Sequence, residues 1–248
     1  MLRLQPQYAD AWYNLGLIHD DLRQHVQAIH AYGEALRIQP QYAAAWYNLG
    51  IAHSKLQQYE EAIQAYREAL RIQPEDVDAR YNLGVVSAKF KWPDQAIQAY
   101  REVLHIQPEY ADAWYNLGVT YIESGQYDLA IQACREVLRI DPANAGAWNN
   151  LGVAYYFQDQ HDQVQEIYPT LRKLDAGMAD RYSRAFLRAQ DGSHPSPADV
   201  TQPRNLQPQR PHKRHGMHAP GEAEDDLMCM SGATRGEHDN RHTQHCHQ

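Results

Sequence analysis

The chain has 248 residues and a formal net charge of −8 at pH 7. This acidic balance argues against nucleic acid or an anionic membrane as the main partner, because both favour a basic face. No stretch reaches the roughly 20 apolar residues of a membrane-spanning helix, and no signal peptide is recognisable, so we expect a cytoplasmic protein. The three cysteines lack the spacing of a disulfide framework, so we expect reduced thiols.

A five-residue motif recurs at a constant interval along most of the chain. Each copy begins 34 residues after the previous one. The copies are Trp12–Gly16, Trp46–Gly50, Arg80–Gly84, Trp114–Gly118 and Trp148–Gly152. In the first copy Trp12, Leu15 and Gly16 share a helical face with His19, at the i, i+3, i+4, i+7 spacing of a buried stripe. The motif therefore predicts an amphipathic helix, which we call helix A.

A second helix in each unit is indicated by small and aromatic residues at helical spacing, followed by a proline. The first unit has Ala28, Tyr32, Ala35 and Pro40, and the next two units repeat the arrangement, whereas the fourth has Cys134 at the aromatic position. Small residues let two helices approach, the aromatic ring fills the space between them, and proline ends the helix because it lacks an amide donor. One unit is thus helix A, turn, helix B, turn.

Together these residues resemble the tetratricopeptide repeat (TPR) family, whose pattern combines tryptophan, Leu-Gly, a small–aromatic–small set and proline. The resemblance implies an all-α, right-handed superhelical solenoid of five antiparallel helix pairs. The units are placed at residues 9–42, 43–76, 77–110, 111–144 and 145–178. Departures from the pattern are Arg80 in place of tryptophan, Pro93 in a turn, and Val164 and Leu171 in place of small residues.

The two ends of the array differ from complete units. Residues 1–8 match residues 35–42, so they are predicted to be the end of a truncated preceding repeat. Residues 179–190 have helical periodicity with a polar outer face, which predicts a capping helix. Residues 191–248 contain no Tyr, Phe or Trp, but six prolines and eight of the fourteen histidines. This composition predicts a disordered His/Pro-rich tail.

One polar row recurs in every helix A, two residues after the tryptophan position. It consists of Asn14, Asn48, Asn82, Asn116 and Asn150, flanked by Tyr13, Tyr47, Tyr81 and Tyr115. At about 100° per residue the asparagines face away from helix B. An asparagine amide can pair with any peptide unit, and helices roughly 8–10 Å apart would meet an extended chain at about every third residue. These nine residues are the predicted peptide-binding residues.

The row is similar to the asparagine ladder in the repeats of O-linked N-acetylglucosamine transferases, which implies that the backbone of a guest polypeptide would be held. Recent duplication is the alternative, because residues 62–68 recur unchanged at 96–102 and copying also preserves idle residues. Five asparagines in helix interiors cost on the order of 3 kcal/mol relative to alanine, which favours a role for them. Asp10, Asp78 and Asp112 begin their A helices and are expected to cap them.

No motif for catalysis is recognisable, whether a phosphate-binding loop, a nucleophile elbow, a zinc-protease motif or a Cys-x-x-Cys pair. We therefore expect no catalytic residue, no enzyme activity and no cofactor. The tail contains potential metal donors whose spacing matches no known zinc finger, so no metal site is predicted there. These donors are Cys229, His238, His242, His245, Cys246 and His247.

The sequence thus predicts a protein-interaction scaffold or adaptor that binds an extended segment of a partner protein in its concave groove. The alternative is a substrate-recruiting or assembly arm of a transferase-type complex whose catalytic domain is on another chain. Both predictions have a polypeptide as the partner, and neither involves nucleic acid or a membrane.

Overall fold

The computed structural model of the protein describes residues 7–187 together with Ser196, Val200 and Thr201. These residues form eleven α-helices and no strand, and a π-helical segment, Ser183–Leu187, follows the last helix. Of the predicted truncated repeat at residues 1–8, residues 1–6 lie outside the described residues and residues 7 and 8 begin the first helix. Most of the predicted tail, with its cysteines and histidines, also lies outside the described residues.

The helices alternate in the predicted order of helix A and helix B. The A helices are α1 (Gln7–Asp21), α3 (Ala43–Lys55), α5 (Val77–Lys89), α7 (Ala111–Glu123) and α9 (Ala145–Tyr156). The B helices are α2 (His25–Ile38), α4 (Tyr59–Ile72), α6 (Pro93–Ile106), α8 (Tyr127–Ile140) and α10 (His161–Leu174). A shorter helix, α11 (Ala176–Tyr182), follows them. The predicted all-α solenoid of five helix pairs is confirmed. No helix in the described part of the chain is long and apolar enough to cross a membrane.

Each A helix packs on the B helix of its own unit, and each B helix packs on the next A helix. Neighbouring A helices also contact each other, α1 with α3, α5 with α7 and α7 with α9. Among the described elements, no two neighbouring B helices come equally close. The A helices therefore line the inner, concave side of the array, which we call the A-helix face.

The contact between the two helices of a unit depends on a glycine facing a tyrosine. Tyr66 and Tyr100 are fully buried, and their rings lie directly against Gly50 and Gly84. A side chain on either glycine would overlap the ring, so only glycine allows this approach. In the fourth unit Cys134 takes the place of the tyrosine. It is buried, and burial raises the pKa of its thiol to about 12, so it is a core residue and not a nucleophile.

The turn between the two helices of each unit has the same backbone conformation in all five units. One residue per turn has a positive φ of 57–70°, and the five residues are spaced 34 apart. They are Arg23, Gln57, Lys91, Gly125 and Asp159. Only the fourth is glycine, although the left-handed conformation costs other residues roughly 1–2 kcal/mol. Packing of the two helices therefore fixes the turn, whatever residue occupies it.

The helix caps differ from the prediction made for the A-helix aspartates. Asp76, not Asp78, is the N-cap of α5, and its carboxylate accepts a hydrogen bond from the Ala79 amide at 3.0 Å. The N-cap of α7 is Tyr110, which makes no side-chain cap, and Asp112 lies in the first turn. Neither Asp78 nor Asp112 is therefore an N-cap. Both lie in the first turn of their helices, where their carboxylates complement the helix dipole as expected.

Arg80 changes the outer side of the third unit. In three other units the tryptophan at this position donates its indole N–H to a proline carbonyl six residues earlier, as Trp46 does to Pro40 at 2.9 Å. Arg80 instead donates to Glu102 at 2.8 Å, and its Nη1 is buried without a hydrogen-bond partner among the described residues. An open cavity of about 710 Å³ lies beside it along α6.

Replacing Arg80 with tryptophan is expected to stabilise the protein by about 1 kcal/mol. The change removes a buried unpaired N–H group, refills part of the cavity, and offers an indole donor to the Pro74 carbonyl. Urea denaturation gives the comparison. The Arg80→Ala variant is the control, because it loses the Glu102 ion pair without gaining the indole and should be less stable than the wild type. A tryptophan variant no more stable than the wild type would contradict this account.

The helix after the last pair completes the core of the fifth unit. Tyr182 is buried, its ring lies against Gly152, and its hydroxyl donates to the Val164 carbonyl at 2.9 Å. It thus occupies the place that tyrosines of helix B occupy in the first three units. The larger Val164 and Leu171, which depart from the repeat pattern, are both buried beneath it.

Candidate functional site

The predicted asparagine row lies between neighbouring A helices. Asn14, in the first unit, is exposed. Asn48, Asn82, Asn116 and Asn150 are 0–5% exposed. The apolar row beside them is buried as well, at Ile51, Val85, Val119 and Val153. Most of the row is therefore enclosed by its neighbours in the array.

Each buried asparagine is hydrogen-bonded to a tyrosine of the preceding unit. The Asn48 amide donates to the Tyr13 hydroxyl at 3.0 Å, Asn82 to Tyr47 at 3.0 Å, and Asn116 to Tyr81 at 2.8 Å. Asn150 makes the equivalent bond to Tyr115. The structure thus brings the predicted asparagines and tyrosines together, as pairs that join successive units. This pairing offsets the cost of asparagine in a helix interior, with or without a guest, and the peptide-binding role of these residues stays a prediction.

Tyrosine hydroxyls and carboxylates meet at the amino ends of the A helices. The Tyr42 hydroxyl donates to Asp10 at 2.9 Å, and its ring lies 4.9 Å from that of Tyr13. Burial raises the pKa of Tyr47, and the nearby carboxylates of Asp78 and Asp76 raise it further. These tyrosines stay protonated at neutral pH. This edge of the A-helix face therefore offers neutral hydroxyls beside negative charge.

The carboxyl ends of the A helices in the second and third units carry positive charge. Lys55 and Lys89 each end their helix. Partial burial lowers the pKa of Lys89, and the charge of Lys55 lowers it further, which places the two ammonium groups near each other. Asp78 and Lys89 are eleven residues apart in α5, or about 16 Å along the axis. In these units the A-helix face is acidic at one edge and basic at the other.

Asn149, which was not among the predicted site residues, binds a peptide group. The first four units have tyrosine at the equivalent position, and Asn149 is buried in α9. Its amide donates to the backbone carbonyl of Val200 at 2.9 Å. The sequence shows asparagine in place of tyrosine at this position, but nothing in the repeat pattern linked Asn149 to a residue 51 positions later.

Metal donors do not gather on the described part of the chain. Within residues 7–187 and the three described tail residues, no group of three or more His, Cys, Asp or Glu side chains could hold a metal ion. The tail donors Cys229, His238, His242, His245, Cys246 and His247 all lie outside the described residues.

Comparison with protein families identifies the repeated unit. A tetratricopeptide repeat model matches residues 9–42, 43–76 and 111–144. A TPR repeat model matches residues 94–125, and a further tetratricopeptide repeat model matches residues 133–166. No curated protein matches the chain.

Solved structures with the same fold support this assignment. YrrB, described as a TPR protein with an unusual peptide-binding site, is 23% identical with a TM-score of 0.64, covering 70% of this chain and 90% of its own. The MamA protein is 20% identical with a TM-score of 0.66, covering 77% and 100%. MamA from Desulfovibrio magneticus RS-1 is 24% identical with a TM-score of 0.65, covering 68% and 96%. The repeat matches and the shared fold together show that this chain belongs to the tetratricopeptide repeat family.

Proposed function

We propose that this protein is a cytoplasmic interaction scaffold that holds an extended segment of another polypeptide against its A-helix face. The observation that carries the proposal is the edge of tyrosine hydroxyls and carboxylates at the amino ends of the A helices. It concentrates negative charge at one edge of the A-helix face, which favours a peptide with basic side chains. The description of YrrB as having a peptide-binding site supports the same use of the fold.

The spacing of the units supports an extended guest. Neighbouring helices pack roughly 8–10 Å apart, and an extended chain advances about 3.3 Å per residue, so each A helix would meet about every third guest residue. The predicted binding residues are the asparagine row and Tyr13, Tyr47, Tyr81 and Tyr115. Because the asparagines also join the units, we propose that they position the tyrosines and that the carboxylates of Asp10, Asp78 and Asp112 select the guest.

Selection of peptides from a random display library tests the proposal. Asp10, Asp78 and Asp112 lie in units one, three and four, so we expect the wild-type chain to enrich peptides with two Lys or Arg residues about three apart and a third about six residues away. A variant with Asp10→Asn, Asp78→Asn and Asp112→Asn should bind these peptides at least about tenfold more weakly, since each charge pair contributes up to about 1 kcal/mol.

The control variant removes three carboxylates from equivalent first turns of B helices, with Glu60→Gln, Asp94→Asn and Asp162→Asn. It has the same net charge as the first variant and should bind peptides like the wild type. An equal loss of peptide affinity in both variants would show that net charge, and not the position of the carboxylates, determines binding. Enrichment of no peptide by the wild type would contradict the proposal.

A further inference from the structure

Three described residues of the C-terminal segment contact the array on its A-helix side. Val200 packs against the core of units three to five, and its carbonyl accepts the Asn149 hydrogen bond. Thr201 is only 5% exposed. Ser196 lines a cavity of about 330 Å³ together with Ala88 of α5 and Thr120 of α7. The contacts thus begin at α9 and continue at α5 and α7.

Asn149 distinguishes this part of the face from the rest. In the first four units the residue at this position is a tyrosine whose hydroxyl is hydrogen-bonded to the asparagine of the next unit. In the fifth unit the amide of Asn149 donates outward to a backbone carbonyl, and it also lies 3.3 Å from the Asn150 side chain. An amide that binds a carbonyl recognises the peptide backbone and not a particular side chain.

We propose that the tail residues Val200 and Thr201 are part of an intramolecular ligand of the A-helix face at units four and five, with Asn149 as the residue that binds the backbone of this ligand. Val200 places an aliphatic side chain against the core of the array, and Thr201 is buried. A tethered segment acts at an effective concentration on the order of millimolar, so it excludes a free peptide present at micromolar concentration. Competition with a guest protein rests on the proposed function, whereas occupation by the segment does not.

The test uses the full chain and a labelled peptide of residues 194–203 as the probe. A variant with Val200→Asp and Thr201→Asp places two carboxylates at apolar or buried positions, so its own segment should leave the face. We expect this variant to bind the free peptide at least about tenfold more tightly than the wild type, in which the site is filled. Adding Asn149→Asp, which keeps the shape of the side chain and removes its donor, should weaken that binding by about fivefold or more.

Two controls separate binding from folding. A probe peptide with the Val200→Asp change should bind no variant, and all variants should keep the wild-type helix content measured by circular dichroism and unfold in a single cooperative transition. Equal peptide affinity for the wild type and the released variant, binding to neither, or binding unaffected by Asn149→Asp would each overturn the inference. The library selection described above is scored separately, so failure to find a guest leaves this result standing, and the reverse also holds.

Discussion

Replacing Gly84 with alanine is expected to destabilise the protein by about 1–3 kcal/mol, as overpacking of a close-packed core does. A Cβ atom at this position would lie 2.7 Å from Cε1 and 2.9 Å from Cδ1 of the Tyr100 ring. Tyr100 is fully buried, so its ring has no free space into which to move. Either helices α5 and α6 must separate or the ring must leave its rotamer. Urea denaturation followed by circular dichroism measures the loss.

Gly118 provides the matched control in the fourth unit. Its added Cβ would meet the Cys134 sulfur at 3.4 Å and the Ala133 Cβ at 3.5 Å, which are ordinary contact distances. Gly118→Ala should therefore be neutral or stabilise by up to about 1 kcal/mol through helix propensity. If Cys134 is first changed to tyrosine, the same glycine substitution should become destabilising. Equal effects at Gly84 and Gly118 in the wild-type background would show that the facing ring is not the cause.

Replacing Asn82 with alanine is expected to cost about 1–3 kcal/mol of stability. Asn82 is fully buried, and its amide donates to the Tyr47 hydroxyl of the preceding unit. Its loss leaves a buried hydroxyl without this donor, which outweighs the gain of up to about 0.7 kcal/mol from the better helix former. The double variant with Tyr47→Phe should lose less than the sum of the two single changes, with a coupling on the order of 1 kcal/mol.

Asn14 is the internal comparison for this prediction. It occupies the same place in the first unit but is exposed. Asn14→Ala should therefore stabilise slightly, by a few tenths of a kcal/mol, for reasons of helix propensity alone. Similar effects of the two substitutions would argue against a structural role for the hydrogen-bonded pairs. The prediction also explains why the carboxylates, and not the asparagines, are the informative positions for a binding assay.

Helix order and core positions could be predicted from the sequence because they depend on local rules. In each of the first three units a glycine of helix A faces a tyrosine of helix B, as Gly50 faces Tyr66. The period of 34 residues identifies each pair from the repeat pattern alone. The helix caps were less accessible, because Asp76 and Asp78 are both suitable residues and only the backbone conformation distinguishes them. Asp76 has the extended conformation of an N-cap, whereas Asp78 is already helical.

Only part of the candidate site could be predicted from the sequence, because its residues depend on contacts between units. The asparagines and tyrosines were recognised as one row, but the row position alone did not show that Asn48 would donate a hydrogen bond to Tyr13. A constant separation of 35 residues between donor and acceptor contained this information. The contact between Asn149 and Val200 has no such regularity, since one partner lies outside the repeats.

The asparagine–tyrosine bonds have a mechanical consequence for recognition. When the units of a solenoid contact each other only through apolar side chains, the array can bend. Binding of a guest then costs the conformational entropy of fixing the curvature of the array. Here, directional hydrogen bonds of 2.8–3.0 Å join successive A helices on the inner side, where the fourth pair is made by Asn150 and Tyr115. These bonds set the pitch of the surface before any ligand arrives. In the proposed function, a guest peptide therefore meets a surface whose spacing is already fixed, and this spacing determines the register of the peptide.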